Sequence, residues 1–127
     1  AGIATAKPDA GIDILLGTGG SSQGILTAAA IRCIGGDMQA RLQPRNEEEA
    51  GRCRAAGIED IRRKLTLEEM AGGSVMFAAT GVTSGDLVRG VRFFKGGATT
   101  NSLVMRSRTH TLRFIEAVHR FDLKPGY

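Results

Sequence analysis

A cluster of glycines between two apolar stretches is the part of this sequence best suited to bind an anion. Residues 12–26 read IDILLGTGGSSQGIL, with glycines at positions 17, 19, 20 and 24. Glycines let a backbone approach a ligand closely, and the N–H groups that open a helix bind phosphate. The alternative is a tight strand-to-helix turn without a ligand. The pattern is neither a dinucleotide fingerprint nor a P-loop, since Ser22 replaces the third glycine and no lysine follows Gly24.

The acids and histidines are poorly arranged for catalysis. The acids form no DxD or ExxD grouping, so the residues of this chain predict no metal centre. His110 and His119 lack a metal-ligand spacing, which disfavours zinc, and we expect both in structural positions. Three glutamates follow Asn46 and could form a metal-binding cluster. Adjacent helical side chains point in different directions, so a capped helix start is the favoured interpretation.

Arginines near the end of the sequence form a second candidate anion site. Arg106 and Arg108 have the period of one strand face, and Arg113 falls on the next predicted strand. Such a group could hold a phosphate, or it could be an ordinary solvated sheet face. Nucleic-acid binding is disfavoured, because the basic residues form no run and are not interleaved with aromatic residues.

The composition predicts one α/β domain over residues 1–127. The chain is 42% hydrophobic with 18 glycines, which suits a core with many tight turns. No apolar run is long enough to span a membrane, so we expect no membrane association. Cys33 and Cys53 are far apart and lack a CxxC spacing. They favour a reducing, cytoplasmic setting, with Cys33 as a small core residue.

The predicted elements form a mixed β-sheet flanked by helices. Apolar and alternating patterns predict strands at 12–16, 38–42, 74–80, 87–94, 102–106 and 112–118. Residues 12–16 are almost wholly apolar, so we expect that strand to be buried on both faces. Helices are predicted at 23–34, 46–57 and 66–72. Asn46 is the expected N-cap of the second helix, and Thr66 is the expected N-cap of the third. A glutamate follows each of them three residues later. The last two strands are predicted to form a hairpin or to lie as near neighbours.

Three segments together resemble the C-terminal half of the class II (GlpX-type) fructose-1,6-bisphosphatases. They are LLGTGGSSQGILTAAAIRCIGGDMQARL, VMFAATGVTSGDLVRGVRFF and TTNSLVMRSRTHTLRFI. The resemblance implies the sugar-phosphatase fold shared with inositol monophosphatases. It also implies removal of the 1-phosphate of fructose-1,6-bisphosphate with Mg²⁺ or Mn²⁺ as cofactor. Photosynthetic members also hydrolyse sedoheptulose-1,7-bisphosphate.

The resemblance implies a role for two residues of the glycine cluster. The family usually reads GGAPEG where residues 19–24 read GGSSQG. Gly20 keeps the position that contacts substrate, whereas Gln23 replaces a glutamate that binds the metal. A neutral amide adds no negative charge, so we expect weaker cation binding at Gln23.

The resemblance also implies a partner for this segment. Most metal-binding acids of the family belong to an N-terminal half that this sequence lacks, so we expect the segment alone to be inactive. Its expected partners are a sugar bisphosphate, that N-terminal half and further copies of itself. The alternative function is a non-catalytic phosphosugar-binding or regulatory module, which Gln23 favours.

Overall fold

The computed structural model describes Ile3 and residues 11–123, within which helices and strands alternate before a β-rich end. The elements are α1 (Ser21–Ile34), β1 (Gln39–Ala40), α2 (Glu47–Ala55), β2 (Leu65–Thr66), α3 (Leu67–Ala71), β3 (Met76–Thr80), β4 (Arg92–Phe94), β5 (Gly97–Arg106), β6 (Thr111–Arg120) and a 3₁₀ turn (Phe121–Leu123). The α/β fold class is confirmed. In place of one sheet, the described strands form two, and every pairing among them is antiparallel.

Strand β5 is the centre of the larger sheet. Its second half pairs with β3 and its first residues pair with β4, both on the same side. On its other side it pairs with β6 along all ten residues, from Gly97 opposite Arg120 to Arg106 opposite Thr111. The predicted hairpin is therefore confirmed, with longer strands than the sequence indicates.

The core lies between α1 and one face of this sheet. Ala30 and Cys33 on the helix pack with Leu103 and Met105 on β5, and all four are essentially inaccessible to solvent. Small helical residues allow the helix to lie close to the strand. Burial raises the pKa of the Cys33 thiol. The prediction that Cys33 is a small core residue is therefore confirmed. A second cluster joins Ala28, Ile31 and Leu67 between α1 and α3.

The starts of α2 and α3 confirm the predicted caps. The Asn46 side chain accepts a hydrogen bond from the Glu49 N–H, and Thr66 forms a capping box with Glu69. Glu49 accepts hydrogen bonds from the Arg45 side chain and from the Arg45 backbone N–H, and these bonds lower the pKa of Glu49 to about 2. The run of glutamates therefore forms the start of a helix, which confirms the favoured interpretation.

The predicted strand at residues 12–16 is wrong. The segment has no regular secondary structure and joins no sheet in the described structure, and its side chains are exposed, Leu16 to 85%. An apolar run becomes a buried strand only where neighbouring strands and helices cover it, and the described residues provide no such cover. Its expected burial on both faces is wrong for the same reason.

Three other predicted strands are shorter than expected, and the one predicted at 74–80 begins only at Met76. In residues 87–94 only Arg92–Phe94 is a strand, because the preceding residues close a loop. The Gly90 N–H donates to Ser84 Oγ at 3.0 Å, and the Val91 N–H donates to the Val82 carbonyl at 3.2 Å. In residues 38–42 only two residues pair, with β2. No helix in the described part of the chain is long and apolar enough to cross a membrane.

Candidate functional site

The glycine cluster leads directly into the first turn of α1. Gly20 is the N-cap of this helix, with an extended backbone (φ −67°, ψ 153°), and the Gly24 N–H makes the first bond of the helix, to the Gly20 carbonyl at 3.0 Å. The helix begins at Ser21, two residues earlier than predicted. In the described structure no side chain caps this end and no acid lies in its first turn. Gly19 and Gly20 are exposed to solvent.

The two residues that the resemblance singles out lie against each other. A Cβ atom added to Gly20 would overlap the Oε1 atom of Gln23. The absence of a side chain at Gly20 therefore leaves room for the Gln23 amide to fold back over the helix start. Both residues are exposed. The structure brings them together, and their roles in binding substrate and metal stay predictions.

The described residues do not form a metal site by themselves. Within residues 11–123, no three histidine, cysteine, aspartate or glutamate side chains are grouped so that they could hold an ion. Gln23 offers a neutral oxygen, which is a weak ligand for Mg²⁺ or Mn²⁺ without carboxylates beside it. The chemistry of this donor set does not fit a divalent cation.

The structure separates Arg108 from the other two arginines that the sequence groups with it. Strand β5 ends at Arg106, so Arg108 lies in the β5–β6 turn, and the prediction that the two share a strand face is wrong. Arg106 pairs with Thr111, and Arg113 pairs with Val104. Cross-strand partners share a face, so Arg106 and Arg113 lie on the sheet face opposite α1.

The turn that carries Arg108 borders a depression at the C-terminal end of α1. Its volume is about 410 Å³. It is lined by Arg32, Gly35, Gly36, Leu67, Gly73, Ser107, Arg108 and His110. We name it the C-terminal depression. The glycine cluster lies neither in this depression nor in a smaller one of about 280 Å³ beside Phe114 and Glu116. The sequence gives no signal for either depression, because each joins segments distant along the chain.

Each histidine is hydrogen-bonded to another element of the fold. His119 Nε2 lies 2.8 Å from Thr100 Oγ1 on the neighbouring strand. His110 Nδ1 lies 3.1 Å from the carbonyl oxygen of Cys33, in the last turn of α1. This second contact spans 77 positions of sequence, so the sequence alone could not reveal it.

Nearly the whole chain matches known proteins. Residues 1–119 match the family model described as bacterial fructose-1,6-bisphosphatase, glpX-encoded. The D-fructose 1,6-bisphosphatase class 2/sedoheptulose 1,7-bisphosphatase of Synechococcus sp. (strain JA-3-3Ab) is 43% identical over 125 residues, which cover 88% of this chain and 36% of the relative. The fructose-1,6-bisphosphatase class 2 of Haemophilus influenzae (strain ATCC 51907 / DSM 11121 / KW20 / Rd) is 40% identical over 129 residues, covering 91% and 38%. The chain thus spans little more than a third of the length of these relatives.

Proposed function

Because this chain belongs to the glpX-encoded bacterial fructose-1,6-bisphosphatase family, we propose that the whole protein hydrolyses fructose-1,6-bisphosphate to fructose 6-phosphate and inorganic phosphate. In this proposal residues 1–127 are one α/β domain that contributes the substrate side of the site. The observation that carries it is the exposed start of α1, which follows Gly20 without a side-chain cap or an acid. Sedoheptulose-1,7-bisphosphate is a second candidate substrate, because the name of the Synechococcus relative includes it.

The proposed role of the glycine cluster is to hold a phosphate-bearing sugar. The N–H groups of residues 21–23 precede the first hydrogen bond of the helix, so they point towards a ligand at the helix start. The helix dipole favours negative charge at this end. Gly20 has no side chain to keep a sugar away from the backbone, which supports its proposed contact with substrate.

The described residues bind and orient in this proposal, and they carry out no chemical step. The family depends on a metal, and we propose Mg²⁺ or Mn²⁺ bound mainly by residues outside this chain, where the ion would stabilise charge on the transferred phosphoryl group. Gln23 adds at most one neutral oxygen to such a site. We therefore expect no fructose-bisphosphate turnover by the 127-residue chain with Mn²⁺, and substantial turnover would contradict this part of the proposal.

The proposed partners follow from the apolar surface of the described structure. Leu16, Phe93, Phe114 and Val118 are each at least 66% exposed. Surfaces of this kind mark contacts with other parts of a protein or with other copies. We propose that these side chains are covered by the part of the relatives' length that this chain does not match and by further copies of the protein. We also propose that the protein is located in the cytoplasm.

Titration of fructose 6-phosphate into the chain tests the glycine cluster. In Gly20→Asp, the new carboxylate would lie at the helix start, compete with the phosphate for the N–H groups and repel it. We expect calorimetry to show an affinity at least about ten-fold lower than for the unmodified chain. Gly17→Asp is the matched control, because it adds the same charge to the same exposed segment, where a new Cβ meets nothing within 4 Å. Equal losses in both variants would contradict the proposed contact.

The non-catalytic alternative rests on Gln23 and needs a separate experiment. The chain is combined with the part of the Haemophilus influenzae relative that it does not match, and phosphate release is measured with Mn²⁺. We expect Gln23→Glu to increase turnover, because it supplies a carboxylate beside the proposed phosphate position. Fructose 6-phosphate binding without metal, together with no turnover in either form, would favour the phosphosugar-binding module.

A further inference from the structure

We propose that the C-terminal depression is a second oxyanion site, which binds inorganic phosphate or the phosphate group of a small phosphomonoester. It lies at the opposite end of α1 from the glycine cluster. The helix has 14 residues, which places the two ends about 20 Å apart. The proposal does not depend on the function of the glycine cluster, because the two sites share no residue.

The charge of the lining favours an anion. Arg32, Arg108 and His110 line the depression, and its lining includes no aspartate or glutamate. Arg32 forms an ion pair with Glu68, and its Nε donates to the Gly73 carbonyl at 3.2 Å, so this guanidinium is a fixed part of the wall. Arg108 is exposed and forms no ion pair with another described residue. Its guanidinium is therefore available to a ligand.

The turn between β5 and β6 supplies a further donor and an acceptor. The Cys33 carbonyl can only accept, so the 3.1 Å contact places a proton on His110 Nδ1 and leaves Nε2 as an acceptor for a P–OH or sugar hydroxyl hydrogen of the ligand. His110 has φ 47°, a backbone conformation that residues other than glycine rarely adopt. The buried Ser107 Oγ accepts from the Val75 N–H at 2.8 Å, which leaves its hydroxyl proton to donate. Arg108 stands between these two residues in the sequence.

These groups match a phosphate. A guanidinium donates to two phosphate oxygens at once, the Ser107 hydroxyl can donate to a third, and His110 Nε2 can accept from a protonated oxygen. The volume of about 410 Å³ exceeds that of inorganic phosphate and lies in the range of small-ligand pockets, so a phosphomonoester also fits. Titrations with inorganic phosphate and with fructose 6-phosphate separate these two sources of the same group.

The test is a titration of the full chain followed by calorimetry and by the NMR signals of the His110 ring. We expect both anions to shift the His110 signals, and Arg108→Gln to weaken the binding that these signals report about ten-fold, because one charge-assisted bidentate contact is lost. Arg113→Gln is the matched control, since it removes the same charge from an exposed arginine on the other face of the sheet. It is expected to change the affinity less than about two-fold.

Two further variants distinguish the possible outcomes. Gly20→Asp is expected to leave the His110 shifts unchanged, so a failure at the glycine cluster cannot be mistaken for a failure here. Arg108→Lys keeps the charge without the planar fork and is expected to lose less affinity than Arg108→Gln, which keeps the test informative if the glutamine variant does not fold. Equal losses in Arg108→Gln and Arg113→Gln, no loss in Arg108→Gln, or no His110 shift with either anion would each overturn the proposal.

Discussion

The two ends of α1 are built in opposite ways. At its start, Gly20 provides no side-chain cap, and Ile25 in the second turn is 47% exposed. At its end, Cys33 is fully buried, Gly35 turns the chain with φ 80°, and His110 binds a carbonyl of the last turn. The C-terminal half of the helix is therefore anchored to the sheet. The N-terminal half is free to present backbone donors.

The other helices show that the open start of α1 is not the rule in this chain. Helix α2 begins with a side-chain cap from Asn46 and three glutamates in its first turn. Helix α3 begins with the capping box of Thr66 and Glu69. In each, the N-cap side chain accepts from one N–H group of the first turn, and acids of the first turn lie at the positive end of the helix dipole. Helix α1 leaves these interactions to another group, which is what a phosphate-binding helix start requires.

The largest difference between the two halves of α1 is expected in the energetics of packing. Ile31 is 5% exposed and packs with Ala28 and Leu67, so Ile31→Ala should lower the free energy of unfolding by about 2–5 kcal/mol. Ile25→Ala is the matched control on the same helix, with an expected loss below about 1 kcal/mol. Urea denaturation followed by circular dichroism measures both. Similar losses would show that the N-terminal half of α1 is anchored as firmly as the C-terminal half.

Local sequence signals predicted the parts of this fold that depend on neighbours in the sequence. The caps at Asn46 and Thr66 act over three residues, and the hairpin is set by alternation in two adjacent strands. Both were predicted because their causes are local. The strand at residues 12–16 was wrong because burial of an apolar run depends on elements far from it in sequence, none of which covers it in the described structure.

The two candidate sites differ in the same way. Gly20 and Gln23 lie three residues apart, at the first turn of a helix, so the sequence could place them together. The C-terminal depression joins Arg32 at the end of α1 with Arg108 and His110 in a distant turn, and the 77 positions between His110 and Cys33 hide that contact from any local pattern. Packing of α1 on the sheet creates this site.

Two glycines at opposite ends of α1 should respond to alanine with opposite signs. Gly35 has φ 80°, so Gly35→Ala forces a side chain into the left-handed region and should destabilise the protein by about 1–2 kcal/mol. Gly24 lies inside the helix, and a Cβ there meets nothing within 4 Å. Gly24→Ala should therefore stabilise the protein by about 0.5–1 kcal/mol. Thermal unfolding of both variants gives the two signs, and destabilisation by Gly24→Ala would indicate that the first turn of α1 is not a regular helix.

The smallest expected effect is a difference in how the starts of α1 and α3 respond to acid. The backbone N–H of Thr66, the Arg63 side chain and the Thr66 hydroxyl lower the pKa of Glu69 to about 2, from an ordinary value of 4.5. A carboxyl group whose pKa falls on folding stabilises the protein above its unfolded pKa, and this contribution is lost as the pH falls from about 4.5 towards 2. The first turn of α1 contains no acid, so it has no corresponding loss.

Amide hydrogen exchange at pH 5 and at pH 2.5 measures this difference at both helices. We expect the protection of the first amides of α3, corrected for the intrinsic exchange rate, to decrease at the lower pH, while the first turn of α1 changes less. Glu69→Gln is the control, because its amide oxygen can still accept from Thr66 but does not titrate, so the pH dependence at α3 should diminish. An equal decrease at α1 and α3 would mean that acid acts on the whole fold. Titration of Glu69 would then not be the cause, and the starts of α1 and α3 would respond to acid in the same way.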